Sequence, residues 1–457
     1  MLARAGATVA VVLSPFYETV KRAQARTAIR TVVVARLRDA LPFPKSLLFR
    51  LLLEKKLGHA ATLRDGDVDM AALLDRHRGQ RPASEPPRPS DPALLLPSGG
   101  TTGTPKWVLG SHGGLAISGK QVFTWLSPVL TPHDTLLVPL PLFHVYAAAG
   151  VLPLAWEGGL SMALVPNPRD TKALLATIRR EEPSFLCCVP TLLAAMMAHP
   201  DAAKTREAFG KIKLTFSGGA ALMAETKKRF EELTGGVVME GYSLTEAQMA
   251  VVGNPAVGEK KVGSVGMPLP DVDLRIVDVE TGTRELAQGE SGEVLLAAPQ
   301  LMLGYWDQPD ETAAALETDE AGRQWLHTGD IGYLDADGYL FLTDRKKELI
   351  KVSGYQVWPR EVEEAVTAHP AVLEAGVTAI PDTAKGEVPK AWVVMRPGRY
   401  VEPGELRAFC KERLAPYKVP AQIVVVDELP KTPTGKVLRR KLHELNAARA
   451  PVAAARG

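Results

Sequence analysis

Apolar positions along the chain fall into two textures. Up to about Val262, short continuous apolar runs alternate with stretches of helical spacing. GATVAVVL near the start, LLL at 94–96, TLLVPLP from Thr135, FLCCV, KIKLTFS and VVMEGYSL each read as a strand. Residues 115–126, TLLAAMM and AETKKRFEEL read as the helices among them, the last stopped by Gly235 and Gly236. Each strand runs into a Gly-rich or polar loop, which predicts parallel α/β sheets with ligands gathered at the loop ends. Past Val262 the runs VDLRIVD, GEVLLAA and DADGYLFLTD read as antiparallel strands, with Asp335, Ala336, Asp337 and Gly338 as a hairpin turn. A further shift follows Asp344: a helix opened by Pro359, strands around Val377 and Trp392, and a helix from Pro403 make a compact α+β unit. The expected fold is therefore α/β, with a large domain of parallel α/β sheets plus a small β subdomain over 1–346 and a small, mobile α+β domain over 347–457. QRPASEPPRPSDP at 80–92 reads as an extended, exposed connector.

Composition narrows the function classes. A chain of 457 residues, 46% apolar and 23% charged, can bury a sizeable core. Its 54 basic and 52 acidic side chains leave +2, so no global field argues for nucleic acid. Three cysteines, Cys187, Cys188 and Cys410, are an odd number without a C-x-x-C spacing; they read as reduced core thiols of a cytoplasmic protein and imply no metal site. The start of the chain, with Arg4 inside its apolar run, reads as a buried strand. Locally the charge is uneven, because 21–56 is strongly basic. Within it FPKSLLFRLLLEKK, at 43–56, reads as a helix packed on the core with a solvated basic edge; the competing reading is an amphipathic helix in peripheral contact with an anionic membrane face. No apolar run is long enough to span a bilayer.

Candidate chemistry begins with LLLPSGGTTGTPKWV at 94–108. Ser98, Gly99, Gly100, Thr101, Thr102, Gly103 and Thr104 offer little besides backbone amides and hydroxyls, and Lys106 adds a positive charge, a composition suited to wrapping an anion. The lysine follows Pro105 rather than a glycine, so this is not a Walker A loop. Thr245 and Glu246, in GYSLTEA, offer a phosphate-binding hydroxyl and a carboxylate for Mg²⁺, and Tyr242 offers an aromatic face for a purine. Asp330, in WLHTGD, suits the two hydroxyls of a ribose with Arg345 closing the other side, and Lys436, in KTPTGK, is a candidate second cation.

In order along the chain, PSGGTTGTPK, PLFHV, FSGGAAL, GYSLTE, QLMLGYWDQPDET, WLHTGDIGYLDADGYLFLTDRKKELIKVSGYQV and LPKTPTGKVLRRKL resemble the core motifs of acyl-CoA synthetases in the AMP-forming adenylate synthetase superfamily. The resemblance, which leans toward the long-chain fatty acid:CoA ligases, implies an ATP-dependent ligase that makes an acyl-adenylate and passes the acyl group to CoA. ATP, Mg²⁺ and the co-substrate CoA are the implied cofactors and a small carboxylic acid the partner, with no role for nucleic acid. It further implies that Gly218, Gly219, Ala220 and Tyr242 line the adenine site, that Thr245 touches the α-phosphate and that Glu246 holds Mg²⁺. Asp330 and Arg345 would bind ribose, Lys436 the carboxylate and α-phosphate, and His144 would flank the acyl pocket. Lys347 would be the hinge that exchanges Lys436 for the KVSGY segment carrying Lys351 and Gly354. Trp107 and Ser243 depart from the usual small residues at their positions. Relatives carry more of the large domain ahead of the position matching Met1, so part of it is expected to be missing. Two rival readings are a ligase that loads a separate carrier protein and an inactive nucleotide-binding fragment.

Overall fold

The computed structural model describes residues 3–98, 106–219, 222, 224–431 and 437–449. The chain divides into two compact units, Met1–Pro87 and Arg88–Gly457, and the division falls within the proline-rich connector.

The first unit is built on three parallel strands, Val9–Leu13, Thr31–Ala35 and Val68–Asp69, with Thr31–Ala35 in the middle. Val12, Tyr17, Ile29, Val32 and Val34 form its core. The strand expected to be buried is only half so: Val12 is buried, whereas Val9 and Val11 are exposed, because an edge strand offers one face to a small core. The basic segment also differs from the core-packed expectation. It forms an α-turn, Lys45–Leu48, continued by a π-turn, Phe49–Leu53. Phe49 is the one buried apolar side chain of 43–56, while Phe43, Leu47, Leu48, Leu51, Leu52 and Leu53 are exposed.

The second unit contains the predicted alternation. A seven-stranded sheet runs Met267–Pro268, Met249–Gly253, Val237–Leu244, Leu214–Ser217, Phe185–Cys188, Thr135–Val138, Ser161–Leu164. Its last five strands are parallel and its first two antiparallel additions. Near-continuous apolar runs suit strands covered on both faces, and Phe185, Leu186, Cys187 and Cys188 are all buried. The helices His112–Leu126, Pro190–Ala198 and Ala224–Thr234 follow the predicted punctuation: Ser111 Oγ caps the first by accepting from Gly114 N, Pro190 opens the second, and Gly235 at φ +70° closes the third.

Sequence reading placed a helix soon after the Gly/Thr loop; the structure inserts a strand first. Pro92–Pro97 and Trp107–Ser111 pair antiparallel, Pro97 opposite Trp107, and Ser98 N donates to Lys106 O at 2.7 Å, so the two flanks of the loop pair as a β-hairpin. Gly304–Tyr305 adds a third strand to that hairpin. Beyond it, Asp273–Val277, Gly292–Ala297, Gln324–Leu334, Leu316–Thr318 and Leu340–Arg345 make the antiparallel β subdomain, turning at Asp335–Gly338 as expected, with Leu334 opposite Leu340.

From Ile350 onward a separate core forms around Ile350, Val357, Val362, Val377, Val393 and Leu406. Its sheet combines Ile350–Val352, Tyr355–Val357, Gly386–Met395, Val372–Asp382 and Gln422–Val425, flanked by Pro359–Thr367, Pro403–Lys411 and Arg439–Arg449. No helix among the described residues is long and apolar enough to cross a membrane.

Candidate active site

Three residues from two of the quoted motifs meet in one hydrogen-bonded group. Asp330 lies on Gln324–Leu334 and is only 4% exposed. Its Oδ1 accepts from Arg345 Nε at 2.8 Å, and its Oδ2 accepts from the Tyr242 hydroxyl at 2.5 Å. Burial, then the Asp330 charge, pushes the Tyr242 phenol well up, so it stays a donor. The Asp330 charge raises Arg345 further above its ordinary value. Each carboxylate oxygen keeps a second lone pair for another donor. The Tyr242 ring is itself buried, 6% exposed.

The Leu214–Ser217 strand ends in Gly218 and Gly219. Gly218 N donates to Cys188 O at 3.1 Å, and a Cβ on Gly218 would stand 3.3 Å from the Tyr146 ring. Gly219 has φ +81°, a bend that favours glycine. Val237–Leu244 ends at Thr245 and Glu246, where Ala247 N and Gln248 N turn back on Leu244 O and Thr245 O. Glu246 is half-buried and its Oε1 accepts from the Tyr305 hydroxyl at 2.9 Å.

Lys106, just ahead of the strand Trp107–Ser111, pairs with Glu311 and lies over the Tyr305 ring, Nζ 4.8 Å from its centroid. His144 is half-buried; burial lowers its pKa, and its Nδ1 accepts from Tyr146 N at 3.2 Å, so its neutral form is favoured. A cavity of about 10 Å³ separates Thr245 from Leu94, Leu96, Val108 and Val145. That is room for one water.

Lys351 and Gly354 stand apart from these groups in sequence, on the hairpin Ile350–Val352 and Tyr355–Val357. Ser353 at φ +49° and Gly354 at φ +85° form its two-residue turn, exposed to solvent. Lys347 lies in the 3₁₀ turn Lys346–Glu348, its pKa lowered by burial and then by Arg345. Gly99, Gly100, Thr101, Thr102, Gly103, Thr104, Ala220 and Lys436 lie outside the described residues.

Sequence reading singled out neither Tyr305 nor Glu311, although both lie in the quoted stretch QLMLGYWDQPDET. It also missed Arg439, which donates to Glu363 Oε2 at 2.7 Å and to Asp344 Oδ1 at 3.5 Å. Asp344 also accepts from Arg360 N at 2.7 Å, so the neighbour of Arg345 is tied to two helices of the carboxyl-terminal core.

Mg²⁺ carried on polyphosphate needs only one or two protein carboxylates, unlike an all-protein cage. Glu246 meets that requirement, and no group of three or more His, Cys, Asp or Glu side chains suited to a metal occurs among the described residues.

Comparison with known proteins agrees over nearly the whole chain. The AMP-binding enzyme family model matches residues 1–306, and that of the AMP-binding enzyme C-terminal domain matches 361–436. A long-chain-fatty-acid–CoA ligase of Bacillus subtilis (strain 168) is 38% identical over 420 residues, covering 90% of this chain and 72% of the relative. Its namesake in Yersinia pestis is 34% identical, covering 97% of this chain and 77% of its own. Among solved structures, an anthranilate CoA ligase in complex with anthranoyl-AMP superposes with a TM-score of 0.80 at 28% identity, over 98% of this chain and 80% of that one.

Proposed function

Because the chain belongs to the AMP-binding enzyme family, we propose that it is an AMP-forming acid–thiol ligase: a carboxylic acid, preferentially a fatty acid, reacts with ATP to give an acyl-adenylate and pyrophosphate, and CoA then takes the acyl group and releases AMP. Relatives named long-chain-fatty-acid–CoA ligase support the acid class. The single observation that carries the reading is the convergence of Tyr242 and Arg345 on the Asp330 carboxylate.

The first step brings two anions together. At about 4 Å and an effective dielectric near 20, one such charge pair costs about 4 kcal/mol, about three decades of rate. In this reading Lys106, the loop amides around it and Lys436 offset the repulsion at the phosphates and the carboxylate. Thr245 donates its hydroxyl to the α-phosphate. Asp330 receives the ribose hydroxyls while Arg345 keeps it oriented, and Gly218, Gly219, Ala220 and Tyr242 line the adenine site. Glu246 would hold Mg²⁺, which supplies charge neutralisation on the phosphate oxygens. Neutral His144 borders the acyl group without adding charge.

The second step requires Lys436 to leave. A domain boundary near Lys347 fits the independent core that begins at Ile350, and a swing there would bring Lys351 and Gly354 toward the adenylate. Incubating the protein with Mg-ATP, CoA and a panel of medium- to long-chain acids tests the proposal. Acid-dependent pyrophosphate release with thioester formation is expected, and its absence for every acid contradicts the reading.

The exposed leucines add a peripheral contact to this proposal. Leu47, Leu51 and Leu52 share their short helical segment with Lys45 and Arg50, a combination suited to an anionic bilayer surface from which fatty acids partition. Sedimentation with phosphatidylglycerol vesicles should carry the protein down, and Leu51→Glu with Leu52→Glu should release it. Equal sedimentation of both proteins contradicts this contact.

A further inference from the structure

The segment 301–306 is a strut between two parts of the candidate site. Met302 N donates to Glu246 O, Leu303 N to Leu109 O and Trp306 N to Trp107 O, each at 2.8 Å. Gly304 and Tyr305 pair with Leu109 and Val108 in the exit strand of the hairpin. Tyr305 N also donates to Thr312 Oγ1 at 2.8 Å. The Tyr305 side chain repeats this connection in polar form. Its hydroxyl donates to Glu246 Oε1 at 2.9 Å, and its ring carries the Lys106 ammonium at 4.8 Å. On its other side Lys106 pairs with Glu311 of the helix Pro309–Ala315, a carboxylate half exposed to water.

From this geometry we infer that Tyr305 is a positioning residue of the phosphate site, holding Glu246 on its hydroxyl and Lys106 on its ring, and that Glu311 parks Lys106 until a polyphosphate replaces it. The inference rests on the reading of Lys106 and Glu246 proposed above. A donor on Oε1 fixes the carboxylate plane and leaves Oε2 for a cation. The aromatic face stabilises the ammonium without neutralising it. Glu311 does neutralise it, through a pair that water and salt screen, so a ligand carrying several negative charges displaces it readily. Glu311 and Tyr305 thus divide the work: one supplies a replaceable anion, the other a fixed platform.

Calorimetric titration of the full chain with ATP, in Mg²⁺ and again in EDTA, separates these roles without any acid turnover. Tyr305→Phe keeps the ring and removes the donor: it should cut the affinity gained from Mg²⁺ at least fivefold and leave binding in EDTA within twofold of wild type. Glu311→Gln should tighten ATP binding threefold or more at low salt, with the gain lost near 0.5 M salt. An unchanged Mg²⁺ gain in Tyr305→Phe overturns the positioning role. Unchanged or weaker low-salt binding by Glu311→Gln overturns the parking role, and this half-exposed position keeps the proposal falsifiable even where Tyr305→Phe fails to fold. Wild-type protein that binds no ATP would instead sink the reading of Lys106 and Glu246 beneath it, an outcome distinct from variants that match a competent wild type.

Discussion

Asp330 and Arg345 are opposite partners across the antiparallel pair Gln324–Leu334 and Leu340–Arg345, with Arg345 Nε 2.8 Å from Asp330 Oδ1. The β register therefore sets the charge geometry of the proposed ribose site before any ligand arrives. Asp330→Asn keeps the shape and removes the charge that compensates Arg345. Because the arginine side chain is one-third exposed, the expected loss of stability is modest, about 1–3 kcal/mol by urea unfolding. ATP affinity should fall about ten- to a hundredfold, two charge-assisted hydrogen bonds being weakened. Unchanged ATP affinity would argue against a ribose role.

Lys436→Ala addresses the two half-reactions separately. Acid-dependent pyrophosphate release should drop at least a hundredfold, about 2.7 kcal/mol of barrier, while thioester formation from supplied acyl-AMP should stay within a few-fold of wild type. Equal loss in both assays is the outcome that a swinging domain does not allow.

Arg439 binds Glu363 of its own core and Asp344 at the end of the β subdomain. A swing at Lys347 has to break the second of these pairs and spare the first. Arg439→Ala should therefore change the ratio of the two half-reaction rates, by about threefold or more if the Asp344 pair contributes about 0.7 kcal/mol. Identical ratios in variant and wild type would show that this pair does not bias the domain orientation.

Those variants also mark where sequence reading reaches and where it stops. Strands such as Phe185–Cys188 and Leu214–Ser217 were legible because buried parallel strands are apolar at every position, and the helix ends because proline and glycine sit where the backbone requires them. Tyr242, Asp330 and Arg345 each stood out within a motif, but their common hydrogen-bonded group depends on strand register, which the motifs do not display. Lys106 and Glu311 are 205 positions apart, and only the pairing of Gly304–Tyr305 with the hairpin brings them together. The short strand Trp107–Ser111 was hidden by its glycine and serine, and Val9–Leu13 looked fully buried because its apolar run does not reveal an edge position.

Asp134 supplies a pH test away from the site. Burial alone would raise its pKa, but hydrogen bonds from Ser184, Lys213 and Thr131 outweigh it and hold the carboxyl at about 2. Its folded value lies below the unfolded one, so its stabilisation is present above about pH 4 and is lost as pH falls toward 2. The shift corresponds to about 2 kcal/mol. Asp134→Asn should be less stable than wild type by about that amount at pH 7, with the gap closing between pH 4 and 2 in urea unfolding curves. A gap independent of pH would assign the loss to packing instead.

In the proposed reaction the acid's own oxygen attacks the α-phosphorus of ATP. Turnover of a fatty acid labelled with ¹⁸O in its carboxylate, in the presence of Mg-ATP and CoA, follows that atom directly by mass spectrometry of the nucleotide. One ¹⁸O in the AMP released, with unlabelled pyrophosphate, is the predicted result; label-free AMP, or ADP and labelled phosphate in its place, would contradict it.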